Sequence, residues 1–153
     1  MSSPSAEQHL APREPDLTQA AMVQRAVALR PRLVAEQAET ERRRFFSPAL
    51  HDAFLRAGFY GLYVPRRYGG YEFDVPTFVR VVKEIARGCT SSGWCLGLSM
   101  NHALQVASWW PESAQDAIFA GGDFRAGSVA APVGTICGCP PWVRMGCASR
   151  STR

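Results

Sequence analysis

The amino-acid sequence predicts an all-α domain. Apolar residues recur at three- and four-residue spacing through successive segments, which is the period of amphipathic helices. The segments are punctuated by helix signals: Ser47 before Pro48, Asp74 before an apolar run, and glycines at Gly58 and Gly88 where runs end. Strand-like character is confined to one small, β-permissive stretch at residues 126–133.

In chain order, residues 1–16 are polar, carry three prolines and few large apolar side chains, and read as a disordered lead-in. Residues 17–44 read as helix, with Met22, Val23, Ala26, Val27 and Leu29 forming one apolar stripe that Leu33, Val34 and Ala38 continue. Pro31 either kinks this helix or begins a second one. Residues 36–44 read as a solvated face laced with Glu/Arg pairs. Ser47-Pro48 starts the next helix, which turns Leu50, Phe54 and Leu55 inward and stops at Gly58. Residues 59–65 form an apolar linker and residues 68–71 a turn. Asp74 caps the clearest amphipathic helix, with Val75, Phe78, Val79, Val82, Ile85 and Ala86 at helical spacing. Ser91 or Ser92 caps a further helix to about Trp110, apolar round much of its circumference and therefore expected to be buried. A short helix from Pro111 ends at Gly121-Gly122.

Composition narrows the function classes. A length of 153 residues suits one domain, and 46% hydrophobic with 20% charged residues supplies a core. The net charge of +4 is mild, 16 of the 17 basic residues are Arg, and no basic cluster marks a nucleic-acid surface. No stretch has the apolar length of a membrane span or the pattern of a secretory signal. Five Cys without such a signal read as free thiols, so a cytoplasmic location is expected. Residues 136–153 contain no acidic residue, three Cys and a Pro-Pro pair without any period, and read as an aberrant, frameshifted tail. Cys137, Cys139 and Cys147 without a nearby His make a poor zinc set, and no metal site is expected.

No phosphate loop, dinucleotide fingerprint, nucleophile elbow or HExxH motif is present, and Gly69-Gly70 is a turn. Trp94 and His102 lie eight residues apart on the apolar helix, a little over two turns, with Asn101 beside the His. The ordinary reading is a satisfied core histidine and a packed Trp; the functional one is a proton-handling imidazole near a ring platform. His9 and His51 read as surface residues, and Trp109-Trp110 as an anchor of the helix end in the core. The small residues Gly127, Ser128, Val129 and Ala130 leave room for a planar ligand, although a tight strand start explains them equally simply.

The runs Leu55-Arg-Ala-Gly-Phe-Tyr60 and Val64-Pro-Arg-Arg-Tyr-Gly-Gly-Tyr71 resemble the N-terminal helical domain of the acyl-CoA dehydrogenase superfamily. Residues 78–89, then Ser91-Ser-Gly-Trp94 and Asn101-His102, resemble its two-component flavin-dependent aromatic hydroxylase branch, over roughly residues 17–135. The resemblance implies that Trp94, Ser128, Val129 and Ala130 contact flavin. It further implies that His102 and Ser128 contact a phenolic substrate, with His102 the catalytic residue favouring the phenolate. It implies FMN or FAD delivered reduced by a separate reductase, an aromatic small-molecule substrate, and a homotetramer in intact members. Residues 17–122 would then be the helical domain and 123–135 the start of a truncated β-domain. An acyl-CoA dehydrogenase-type flavoprotein fragment and an inactive helical remnant are the alternatives.

Overall fold

The computed structural model describes residues 14–120 and 124–126. Among them the fold is all-α: α1 (Gln19–Arg43), α2 (Pro48–Arg56), α3 (Val75–Gly88), α4 (Thr90–Trp109) and α5 (Glu112–Phe119), with 3-10 turns at Phe59–Gly61 and Arg66–Tyr68. No described helix is long and apolar enough to cross a membrane.

Three helices begin where a side chain takes up an otherwise orphan N–H. Thr18 Oγ1 accepts from the Ala21 N–H at 3.1 Å, Ser47 Oγ from Leu50 at 3.0 Å, and Asp74 Oδ1 from Thr77 at 2.9 Å. Ser47 also donates to Glu36 at 2.6 Å, joining the end of α1 to the start of α2. That hydroxyl, and then Arg32, hold the Glu36 carboxyl below the usual carboxylate range. The charged end of α1 is laced as its sequence suggests, with Arg32 on Glu36 and both Arg42 and Arg43 on Glu39.

Pro31 neither ends α1 nor starts a second helix. One helix runs through it, with Pro31 exposed and Met22, Ala26 and Leu33 buried on the opposite side. The stripe does not continue through Val34 and Ala38, which face solvent; Thr40, seven residues after Leu33, is buried instead. Residues 59–64, expected as a linker, are all buried, and Phe59, Leu62 and Val64 are among the most enclosed side chains. The strand-like segment beyond this turn pairs back on it, Tyr71 N–H to Gly61 O at 3.0 Å and Phe73 N–H to Leu62 O at 2.9 Å. Gly69 adopts φ 76°, and a Cβ on Gly70 would run into the Val64 carbonyl, so both glycines serve this turn.

Helix α3 packs against α1 and against α4. Both contacts are close. A Cβ on Gly88 would sit 2.6 Å from the Leu33 Cβ, and one on Gly93 would sit 2.8–2.9 Å from Ala86, backbone included. Gly88 thus ends α3 by allowing close approach to α1. Glu84, buried on α3, pairs with Arg30 of α1 at 2.6 Å and with Arg87 at 2.8 Å.

Helix α4 starts at Thr90 with Cys89 as its N-cap, so Ser91 and Ser92 lie inside its first turn. Their hydroxyls approach Cys89 Sγ at 3.3 and 3.2 Å. At the other end the buried Gln115 of α5 donates to the Trp110 and Ala107 carbonyls at 2.8 and 3.1 Å, which satisfies acceptors that α4 leaves open.

The two glycines of α4 separate packing from propensity. Gly93→Ala is expected to destabilise by about 1–3 kcal/mol, because backbone must move to admit the methyl. Gly97→Ala meets side-chain atoms of Val82 and Phe78, the nearest a Val82 methyl at 3.3 Å, and is expected to be neutral or stabilising through helix propensity. Thermal unfolding of both variants checks this; equal Tm values would contradict the close α3–α4 crossing.

Candidate functional site

Helix α4 carries no Asp, Glu, Lys or Arg along its whole length. It buries Ser92, Gly93, Leu96, Gly97, Met100, Ala103 and Val106, a face built mainly from small and medium residues. The large aromatics lie opposite. Trp94 is 68% exposed, Leu98 41%, Trp109 85% and, just past the helix, Trp110 51%, so α4 is buried on one face and turns large apolar side chains, with Ser91, Gln105 and Ser108, to solvent on the other. This corrects the expectation of a central, buried helix and of Trp109-Trp110 as a core anchor. Close approach to Ala86 requires small residues on the inner face, and the tryptophans are turned outward as a result.

Trp94 and His102 are about 80° apart around the helix and about 12 Å apart along it, so they occupy neighbouring faces. Trp94 lies on the exposed stripe, and His102 is half-buried at the edge between stripe and core. The His102 Nδ1 is buried and has no hydrogen-bond partner among the described residues. Among the described residues it lacks the partner that the simpler reading of a satisfied core histidine expects. Such orphan atoms are rare enough in folded proteins to need an explanation. Ser128, Val129 and Ala130 lie outside the described residues, as do His9, Cys137, Cys139 and Cys147.

His51 is no plain surface residue. Its ring stacks on Phe46, its Nδ1 lies 3.1 Å from the Tyr60 hydroxyl, and its Nε2 lies 2.8 Å from Arg125 Nη1. With Nε2 accepting from the guanidinium, the proton sits on Nδ1 and is donated to Tyr60. This ties the segment entering residue 126 onto α2.

Sequence reasoning did not single out a cleft of about 210 Å³ between the end of α1 and the first turns of α4, lined by Thr40, Arg44, Phe46, Ser91 and Cys95 among others. The Phe45-Phe46 pair after the Arg run was the available signal. The cleft contains neither Trp94 nor His102, and it is smaller than a pocket for a drug-sized ligand. Cys89, just behind it, is pushed up by burial, but the Ser91 and Ser92 hydroxyls and N–H groups outweigh this and leave its thiol below the usual range.

The family described as "Acyl-CoA dehydrogenase, N-terminal domain" matches residues 7–116. Similar curated proteins include the flavin-dependent monooxygenase oxygenase subunit HsaA of Rhodococcus jostii (strain RHA1), 32% identical over 112 residues, covering 73% of this chain and 29% of that protein. The p-hydroxyphenylacetate 3-hydroxylase oxygenase component of Acinetobacter baumannii is 26% identical over 125 residues, 80% of this chain and 29% of its own. The FADH(2)-dependent resorcinol hydroxylase oxygenase component of Rhizobium sp. (strain MTP-10005) is 37% identical over 82 residues, 53% of this chain and 19% of its own. The chain thus spans less than a third of the length of these relatives. No solved structure matches it.

The orphan Nδ1 makes a stability prediction. His102→Leu removes a buried polar atom that has no partner among the described residues, so Tm is expected to hold or rise by a few degrees. A loss of 2 kcal/mol or more, on the order of a broken buried hydrogen bond with its stranded partner, would make His102 a structural residue.

Proposed function

The chain belongs to the acyl-CoA dehydrogenase N-terminal domain family, and on that premise we propose that it is the helical domain of an oxygenase component that hydroxylates a phenolic ring. The reaction takes the aromatic substrate, O2, two electrons and two protons to the hydroxylated product and water. The observation that carries the reading is His102, half-buried on a charge-free helix with an Nδ1 that has no partner among the described residues, on the face neighbouring that of the solvent-facing Trp94.

The residues fit the ring system of a flavin in chemistry. An exposed indole is a face on which a planar heteroaromatic stacks. Helix α4 has no Lys or Arg, so a phosphate would be held by other parts of the protein. Reduced FMN or FAD, when bound, supplies the two electrons; the name of the Rhizobium relative specifies the FAD form for that protein. A separate reductase as the source of reduced flavin fits relatives named as oxygenase components.

In this reading the chain's own residues do three things. Trp94 presents its ring as one wall for the flavin and excludes water from that face. His102 accepts the hydrogen bond of the substrate hydroxyl and draws its proton, which makes the ring richer in electrons at the carbon to be oxidised. Ser128, with the backbone of Val129 and Ala130, contacts flavin and substrate from the segment that follows the His51–Arg125 tether. Residues 17–122 are the helical domain and 123–135 lead into a β-domain; the intact protein is a cytoplasmic homotetramer.

The test is a chimera in which residues 14–126 replace the matching part of the Acinetobacter oxygenase component. Supplied with reduced flavin and O2, it is expected to hydroxylate a phenol. His102→Ala should lower that rate by about 10²-fold or more with flavin affinity kept, while Trp94→Ala should weaken flavin binding. Unchanged turnover in both variants would contradict the assignment.

A further inference from the structure

We propose that the cleft between the end of α1 and the first turns of α4 binds a neutral, single-ring aromatic molecule that carries a hydroxyl, of the size of phenol. The proposal goes beyond the flavin reading and does not rest on it, because the cleft contains neither Trp94 nor His102.

Volume sets the number of rings. The cleft holds about 210 Å³. An apolar cavity of about 150 Å³ is enough for benzene, whereas pockets for drug-sized molecules begin near about 300 Å³. One ring with a small substituent fits, and two fused rings do not. The walls then set its character, because Phe45 and Phe46 both line the cleft. Phe46 meets Phe54 edge-on at 5.4 Å and stacks on His51 at 6.0 Å, so this wall is in place before any ligand arrives. Phe45 is 59% exposed, and a ring lying against it takes apolar surface out of water.

Thr40 sets the polar group. It is only 6% exposed, on the face of α1 that otherwise buries Met22, Ala26 and Leu33. Its hydroxyl makes no hydrogen bond among the described residues, and it lines the cleft. Polar groups this deeply placed are as a rule hydrogen-bonded, and a ligand hydroxyl completes this one, since each can donate or accept. The two serine hydroxyls of the lining, Ser91 and Ser92, are already turned to Cys89 Sγ at 3.3 and 3.2 Å, which leaves Thr40 as the open handle. The rim sets the charge. Glu41 and Arg44 both line the cleft and are opposite in sign. A carboxylate drawn to Arg44 is repelled by Glu41, and an amine the reverse, so the pair favours a ligand without net charge.

Protein-observed NMR during titration of the purified chain with phenol tests this, in reducing buffer because Cys95 is exposed. The expected result is saturable shifts at Thr40, Phe46 and Cys95, with a Kd on the order of 0.1–1 mM for so small a ligand. Cyclohexanol, which lacks the aromatic ring, and benzoate, which brings a charge beside Glu41, should each bind roughly tenfold more weakly. Thr40→Val should raise the phenol Kd about three- to tenfold and leave Tm unchanged, because the fold makes no use of that hydroxyl. Cys95→Phe, at an exposed position of the lining, should fill the cleft and abolish the shifts with helical circular dichroism unchanged. No saturable shift, equal affinity for cyclohexanol, or an unchanged Kd in either variant would overturn the proposal. Phenol binding lost in His102→Ala but kept in Cys95→Phe would belong to the face assigned above to flavin and substrate, and would overturn it equally.

Discussion

The close crossing of α3 and α4 governs this structure. Where Gly93 meets Ala86 there is no room for a side chain, and Gly97 follows one turn later against Val82. Once those two glycines face α3, helical geometry turns Trp94, Leu98 and Trp109 to the other side. The exposure of the aromatics is a consequence of the crossing and not of any preference of tryptophan for water. Gly88 makes the equivalent contact on α1 through Leu33, and the Glu84–Arg30 pair holds the same two helices in register.

Much of the fold was legible because its signals are local. Ser47 and Asp74 have the side-chain oxygens that a helix start requires, and each makes the expected bond. Helix α3 forms as its period predicts, but its buried face is rotated from the expected stripe: Ile85 is buried as read, Val75 and Val79 are exposed, and Val81 is buried in their place. Helix α4 was read correctly as a helix and incorrectly as a central, buried one. With no charged residue to mark a solvent side, hydrophobicity could not tell its faces apart. Its inner face is chosen by size, with Gly93, Gly97, Ser92 and Ala103 buried while two Trp are not. Size selection at a helix crossing reverses the usual expectation for large apolar residues.

The candidate site was legible only in part for the same reason. His102 and Trp94 stood out by chemistry, but their spacing fixes an angle between them and not which of them meets the core. It took the packing of Met100 and Ala103 to show that His102 lies at the border and that its Nδ1 has no described partner. His51 was missed because Arg125 is remote in sequence and Tyr60 is brought to it only by the turn between α2 and the buried segment that follows. The family match through residue 116 covers α4, which holds both Trp94 and His102, and the similar proteins are much longer oxygenase components.

The central claim is that α4 keeps its small face inside and its tryptophan face outside. Hydroxyl-radical footprinting of the dilute, reduced chain tests it most directly, with each residue's rate normalised to its rate in the unfolded chain. Trp94 and Trp109, at 68% and 85% exposure, should be modified at nearly their unfolded rates, while Met100, at 1%, should be strongly protected. Protection of both tryptophans together with ready oxidation of Met100 would mean that α4 is rotated about its axis, and the account would fail.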